Sequence, residues 1–237
     1  MKFIRSLLFN VYFFFTTLFF CTTGVIVGVF SMRACSLNAR GWGAALLFGL
    51  RWLAGIKCEI RGLENLPKDT NAYIVASKHQ STLETIVFHV ILKSPAYILK
   101  KELLYIPLFG WNLSLSGCVP IDRSSGAKAM RSILNGSIKR LSQNRPVVIF
   151  PEGTRTPPGA PPKYNPGVGL LYEKCGVPVI PAALNSGCFW RKRSFMKNSG
   201  TIVVEFLPAM PQGMPPREFI AELQNRIETE CAKLIVK

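Results

Sequence analysis

His79-Gln-Ser-Thr-Leu-Glu84 places an imidazole five residues ahead of a carboxylate. An imidazole exchanges protons near neutral pH, and a carboxylate on one ring nitrogen leaves the other free to act as a base. The same residues have a plainer use. Ser81-Thr-Leu-Glu84 fits a capping box, in which the glutamate reaches back to the serine amide at the start of a helix. Spacing alone admits both readings. The chain has 2 histidines. The other, His89, lies in the apolar helical run Ile86–Leu92 with no acidic neighbour and reads as structural.

The histidine needs a scaffold that aims it. Ala72–Ala76 is a short apolar run of strand type, ending just before Ser77-Lys78-His79. Three further runs end in charged residues. Ala96–Leu99 leads to Lys100 and Lys101, Cys118–Ile121 to Asp122 and Arg123, and Val147–Phe150 to Pro151-Glu152-Gly153-Thr154-Arg155. Open α/β sheets gather their sites at the carboxyl ends of strands. A carboxylate-backed imidazole among several cations suits a nucleophile activated beside a phosphate.

Further strands are predicted at Ile56–Arg61, Val177–Leu184 and Thr201–Leu207, making about seven. Helices are predicted near Ser81, at Ile106–Trp111, Gly126–Asn144, Gly167–Lys174 and Pro216–Val236. In the last, Phe219, Leu223, Ile227 and Cys231 form one stripe, read as packing on the sheet. Strands alternating with helices give an α/β fold, with one domain over residues 56–237.

Residues 1–55 differ in character. No charge occurs from Ser6 to Met32, a stretch longer than the roughly 20 residues needed to cross a bilayer core. A second apolar run, Trp42–Ala54, is interrupted by Arg51 and could lie in the interface, with Trp42 and Trp52 at headgroup depth. A retained anchor is expected, either a spanning helix or a hairpin dipping into one leaflet. Over the whole chain 29 Lys and Arg face 13 Asp and Glu, a net charge of +16 that calls for an anionic partner. The 7 cysteines are scattered, without metal-ligand spacing, and read as buried thiols in a reducing compartment; no metal is expected.

From Ile56 to Leu207 the chain resembles the 1-acylglycerol-3-phosphate acyltransferases. The resemblance rests on His79-Gln-Ser-Thr-Leu-Glu84, Gly117-Cys-Val-Pro-Ile-Asp-Arg123, Phe150-Pro-Glu-Gly-Thr-Arg155 and Val177-Pro-Val-Ile-Pro181, in that order. In the family the acid of the first motif is most often Asp, where this chain has Glu84. The resemblance implies a single mixed sheet flanked by helices. It implies acyl transfer from acyl-CoA or acyl carrier protein, as co-substrate and without a cofactor, to the sn-2 hydroxyl of lysophosphatidic acid. His79 would be the general base and Glu84 its orienter. Arg123, Glu152 and Arg155 would hold the glycerol phosphate, with Lys100, Lys101 and Thr154 nearby and amides around Gly153 available to an anion. The expected location is the cytoplasmic face of a membrane, such as a bacterial inner membrane.

Three rivals remain. Another lyso-lipid acceptor, such as lyso-ornithine lipid, would use the same histidine chemistry. A serine hydrolase would need Ser81 as nucleophile, yet the chain has no G-x-S-x-G elbow. A non-catalytic lipid-binding protein would leave His79 and Glu84 without purpose. Nucleic acid is not an expected partner, since no binding module is recognisable.

Overall fold

The computed structural model describes residues 1–235. Among these, seven strands form one sheet in the order β1-β7-β6-β2-β5-β3-β4. They are β1 (Ile56–Arg61), β2 (Ile74–Ser77), β3 (Ala96–Lys100), β4 (Val119–Ile121), β5 (Val147–Ile149), β6 (Val179–Leu184) and β7 (Gly200–Phe206). Only β6 and β7 run antiparallel, so the sheet is mixed, as expected. Central β2 pairs Ile74 with Val147 of β5 on one side and with Val179 of β6 on the other. β2, β5 and β6 are buried throughout, which is why they read as unbroken apolar runs rather than alternating ones.

Helices cover both faces. They are α1 (Lys2–Phe30), α2 (Met32–Gly49), α3 (Leu83–Ile91), α4 (Phe109–Leu115), α5 (Ala127–Leu141), α6 (Gly167–Cys175), α7 (Ser186–Phe189) and α8 (Pro216–Leu234). Successive residues of a strand point to opposite faces. Val75 therefore packs with Phe9, Leu46, Leu50 and Phe88, from α1, α2 with its following turn, and α3. Its neighbours Ile74 and Ala76 pack with Ile133, Leu171, Phe219 and Leu223 from α5, α6 and α8.

The amino-terminal region is a helical hairpin. Ser31 adopts an extended conformation and its Oγ accepts from the Ala34 amide at 3.3 Å, ending α1 and starting α2. The second helix thus begins ten residues before Trp42 and runs on through a π-helical turn at Leu50–Ala54. Trp42 sits inside the fold, its Nε1 donating to Thr17 Oγ1 at 3.1 Å and its ring edge-on to His89; Trp52 is the exposed one. The hairpin is bonded to the domain along its length. Lys197 N–H donates to Ser6 Oγ at 2.9 Å, Asn10 Nδ2 donates to Phe195 O at 2.9 Å, and Asn112 Nδ2 donates to Cys21 O at 2.7 Å. The outer face of α1 stays apolar and exposed, with Phe14, Phe15, Phe19 and Phe30 each more than half accessible.

Elsewhere the strands and helices start or stop within a few residues of the predicted bounds. Helix α7 was not predicted, and the expected end of the last helix at Val236 lies outside the described residues.

Candidate active site

Five mutually parallel strands, β2, β3, β4, β5 and β6, deliver their carboxyl ends to one edge of the sheet. At the middle of that edge the chain leaves β2 through Lys78, His79 and Gln80 and enters α3. Ser81 is fully buried and its Oγ accepts from the Leu83 amide at 2.8 Å. Glu84 accepts from the Ser81 amide at 3.0 Å and 3.2 Å and from the Gln80 amide at 3.1 Å. The glutamate half of the capping box is therefore formed, while the Ser81 hydroxyl takes the Leu83 amide instead of that of Glu84.

It does not exclude the other role. Glu84 Oε2 lies 3.5 Å from His79 Nδ1, and Ser186 Oγ on α7 donates to Glu84 Oε1. One completely buried carboxylate thus starts a helix and backs the imidazole. The ring is held from the side as well, stacked on Phe150 at 3.9 Å between centroids and 19° between planes. At 3.5 Å the pair is slightly long for a hydrogen bond, and Nδ1 has no closer partner among the described residues. Catalytic hydrogen bonds of free enzymes often tighten only when substrate binds.

The loop after β5 is tied to this centre at three points. Thr156 N–H donates to His79 O at 2.8 Å, Glu152 Oε2 accepts from the His79 amide at 3.3 Å, and Arg155 Nη1 donates to Thr82 Oγ1 at 2.9 Å. Gly153 turns the loop at φ 69°, a left-handed conformation open to glycine at little cost. A side chain there would press on Asn165 Nδ2, 3.1 Å from the position a Cβ would take, and Arg123 Cζ lies beside that position at 3.6 Å. Arg155, bonded to Thr82, and Arg123, beside Gly153, are so held at the two loops that flank His79, from three strand ends. Neither arginine has a carboxylate partner among the described residues.

Other predicted residues are committed differently. The Gly153 N–H donates to Phe150 O at 2.8 Å, so it is engaged by the turn. Lys101 pairs with Asp122, and that ammonium together with Ser124 holds the Asp122 carboxyl down at about 2. Lys100 lies 3.3 Å from Glu102 on the surface. Glu152 is buried and spends its oxygens on Lys78, at 2.8 Å, and on the His79 amide. It faces inward, as a brace under the histidine. Thr154 Oγ1 accepts from Lys192 Nζ at 3.1 Å, and Arg155 O accepts from the same ammonium at 2.9 Å.

Lys192, Ser186, Phe150 and Lys78 were therefore missed as site residues. Lys78 and Phe150 stood beside the motifs already singled out. Ser186 and Lys192 follow β6 without any spacing signal of their own.

Residues 57–185 match the family model described as Acyltransferase, more than half of the chain. The 1-acyl-sn-glycerol-3-phosphate acyltransferase of Pseudomonas aeruginosa is 40% identical over 80% of this chain and 73% of its own. The chain belongs to the acyltransferase family. This acyltransferase is also similar to the human 1-acyl-sn-glycerol-3-phosphate acyltransferase alpha, at 28% identity over 91% of this chain and 78% of the relative. Its fold matches the crystal structure of the 1-acyl-sn-glycerophosphate (LPA) acyltransferase PlsC from Thermotoga maritima, with a TM-score of 0.79 over 100% of both chains at 22% identity. In this acyltransferase the matched residues run from β1 to the end of β6, and so contain all three strand ends that meet at His79.

Proposed function

We propose that this acyltransferase moves an acyl group from acyl-CoA or acyl carrier protein to the sn-2 hydroxyl of 1-acyl-sn-glycerol-3-phosphate, giving phosphatidic acid. The observation that carries the reading is the grouping of Glu84-backed His79 with Arg123 and Arg155, two guanidinium groups without an ion pair among the described residues. The neutral imidazole takes the acceptor's hydroxyl proton on Nε2 as the oxygen attacks the thioester carbonyl. Glu84 steadies the imidazolium through Nδ1. The new C–O bond forms, the C–S bond breaks, and the departing thiolate takes the proton back from Nε2. A thiolate leaves readily, since an ordinary thiol has a pKa of about 8.5. No residue of the enzyme needs to be acylated.

Arg123 and Arg155 bind the acceptor phosphate, where planar guanidinium forks match the oxygens in pairs. Glu152 acts as a positioning residue under His79 rather than as a ligand of the glycerol. Lys192 extends the cationic rim at the surface.

The hairpin holds the enzyme in one leaflet. A 29-residue helix is roughly 44 Å long at about 1.5 Å per residue, enough to cross a bilayer. Yet α1 is bonded to the domain at Ser6, Asn10 and Cys21, so it lies along the protein rather than standing away from it. Its exposed phenylalanine face enters the acyl region while the sheet stays in water. The donors are cytoplasmic thioesters, which puts the catalytic edge on the cytoplasmic face of the bacterial inner membrane.

The test is a panel of lyso-lipid acceptors and thioester donors with purified enzyme, product lipids identified by mass. Lysophosphatidic acid should be the preferred acceptor. Arg123→Ala and Arg155→Ala should each raise its KM at least about tenfold, a loss of roughly 1.4 kcal/mol of headgroup binding. Preference for a phosphate-free acceptor such as lyso-ornithine lipid would overturn the assignment.

A further inference from the structure

Helix α8 covers the sheet face opposite the hairpin with Phe219, Leu223, Ile227 and Cys231 buried. Glu228, next to that stripe, makes contacts that packing does not require. Lys78 Nζ donates to Glu228 Oε1 at 2.8 Å and to Oε2 at 3.0 Å, and to Glu152 Oε1 at 2.8 Å. Tyr164 hydroxyl donates to Glu228 Oε1 at 3.1 Å. The side chains of Lys78 and Glu152 are each 2% exposed, and that of Glu228 is 25% exposed. The remaining oxygen of Glu152 accepts from the His79 amide.

A polar chain therefore runs from the last helix to the main chain of the histidine: Glu228, Lys78, Glu152, His79. An ion buried to this depth persists only with its partners in place. Burial disfavours the Lys78 ammonium, yet its hydrogen bonds to the two glutamates outweigh this and raise its pKa. Glu228 supplies both oxygens on one side of that ammonium. Without its charge, Lys78 keeps Glu152 as its one carboxylate instead of two, so the ammonium is drawn toward Glu152 and changes the angle at which that carboxylate meets the His79 amide. The imidazole lies only 3.5 Å from Glu84, so a small tilt of the His79 main chain lengthens a contact that must shorten for catalysis.

We propose that Glu228 is a positioning residue for acyl transfer, acting through Lys78 and Glu152 on the placement of the His79 ring. The proposal rests on the acyl-transfer reading above. It adds a part of the reaction machinery outside residues 57–185, on a helix that shares no motif with the site.

The experiment is a double-mutant cycle with E228Q, E152Q and the pair, on full-length enzyme in detergent. The measurements are kcat, KM for lysophosphatidic acid, and the unfolding midpoint. E228Q should lower kcat about tenfold and leave the acceptor KM within about twofold, because the arginines that hold the headgroup are untouched. The pair should be no slower than E152Q alone, since both changes cut one chain. An unchanged kcat for E228Q, a rise confined to KM, or multiplicative losses in the pair would each overturn the proposal. If E228Q does not fold, Tyr164→Phe removes only the hydroxyl bonded to Glu228. It should lower kcat about two- to threefold at constant KM, and an unaltered kcat there is equally fatal. Wild-type enzyme inactive toward every acceptor defeats the functional reading and this proposal together. An active wild type with any of the failures above defeats this proposal alone.

Discussion

Glu84→Gln separates the two uses of one carboxylate. Oε1 accepts from the Gln80 and Ser81 amides and from Ser186, while Oε2 takes only the longer branch of the Ser81 bond at 3.2 Å, so a glutamine keeps its carbonyl oxygen at Oε1 and presents its NH2 to His79. The opposite rotamer would set that NH2 against two amide donors, leaving buried groups unpaired at about 1–3 kcal/mol. In the favoured rotamer the glutamine donates to Nδ1. Nδ1 must then be the unprotonated nitrogen, and Nε2 carries the hydrogen. A ring in that tautomer cannot take the acceptor's proton. Loss of the equivalent carboxylate in a serine-protease triad costs roughly 10⁴ in kcat for this reason. A fall of about 10³–10⁴ is expected here, which is about 4–5.5 kcal/mol of transition-state stabilisation. The cap is largely kept, so stability should drop by only about 1 kcal/mol. The assay is initial-rate formation of phosphatidic acid, with thermal unfolding of the same preparation. A variant retaining more than about a tenth of wild-type kcat would show that Glu84 is a helix cap and nothing more.

Ser81→Ala should retain most activity and lose about 1 kcal/mol of stability, because the hydroxyl caps Leu83 rather than attacking substrate; abolished turnover would restore the hydrolase reading. His89 is held at about 4 by burial, with a lesser push from Arg145, so between its unfolded value and pH 4 the unfolded chain binds the extra proton. Its contribution is full stability above about pH 6.5, lost as pH falls toward 4 by roughly 3 kcal/mol at about 1.4 kcal/mol per unit. His89→Phe should flatten that part of the wild-type stability curve, read by denaturant midpoints at pH 7 and pH 4.5, and a parallel pair of curves refutes it. A chain cut to residues 56–237 should be insoluble, since Phe9, Leu46 and Leu50 share a core with Val75 and Ile180; a soluble, cooperatively unfolding and active fragment would contradict that packing.

The strand ends were legible because a central parallel strand is buried on both faces and so announces itself as an apolar run stopping at a charge. Ala72–Ala76 before Lys78 and Val147–Phe150 before Glu152 are of this kind. What a side chain does at such an end was harder to read. Glu152 and Arg155 stand three residues apart in one loop, yet one turns inward to Lys78 while the other reaches Thr82, just ahead of α3. Sequence does not carry that choice, because it depends on which cation is waiting inside. Lys78 carries no sign of its burial in the sequence, although a lysine between β2 and α3 is enclosed by the fold. Glu228 gave no signal: on an amphipathic helix a glutamate beside the apolar stripe looks like a solvated charge until its partner is seen.

The hairpin was expected to be an anchor fixed to a separate domain, and its packing makes it more than that. Phe9 lies edge-on to Trp190 at 5.4 Å, and Trp190 opens the segment carrying Lys192 to the catalytic loop. Lys197, at the other end of that segment, donates its amide to Ser6 Oγ on α1. Phe150, on which the imidazole stacks, packs against the same core as Phe9 and Leu46. The reactive ring thus stands on the sheet face that carries the lipid-facing helices. On the proposed reading, a lyso-lipid whose chain remains in the leaflet would have only to bring its glycerol across the rim of that face, where Arg123 and Arg155 would meet its phosphate. On the same reading, burying the outer face of α1 in acyl chains would set the height of the catalytic edge above the bilayer, and the membrane would form one wall of the binding site.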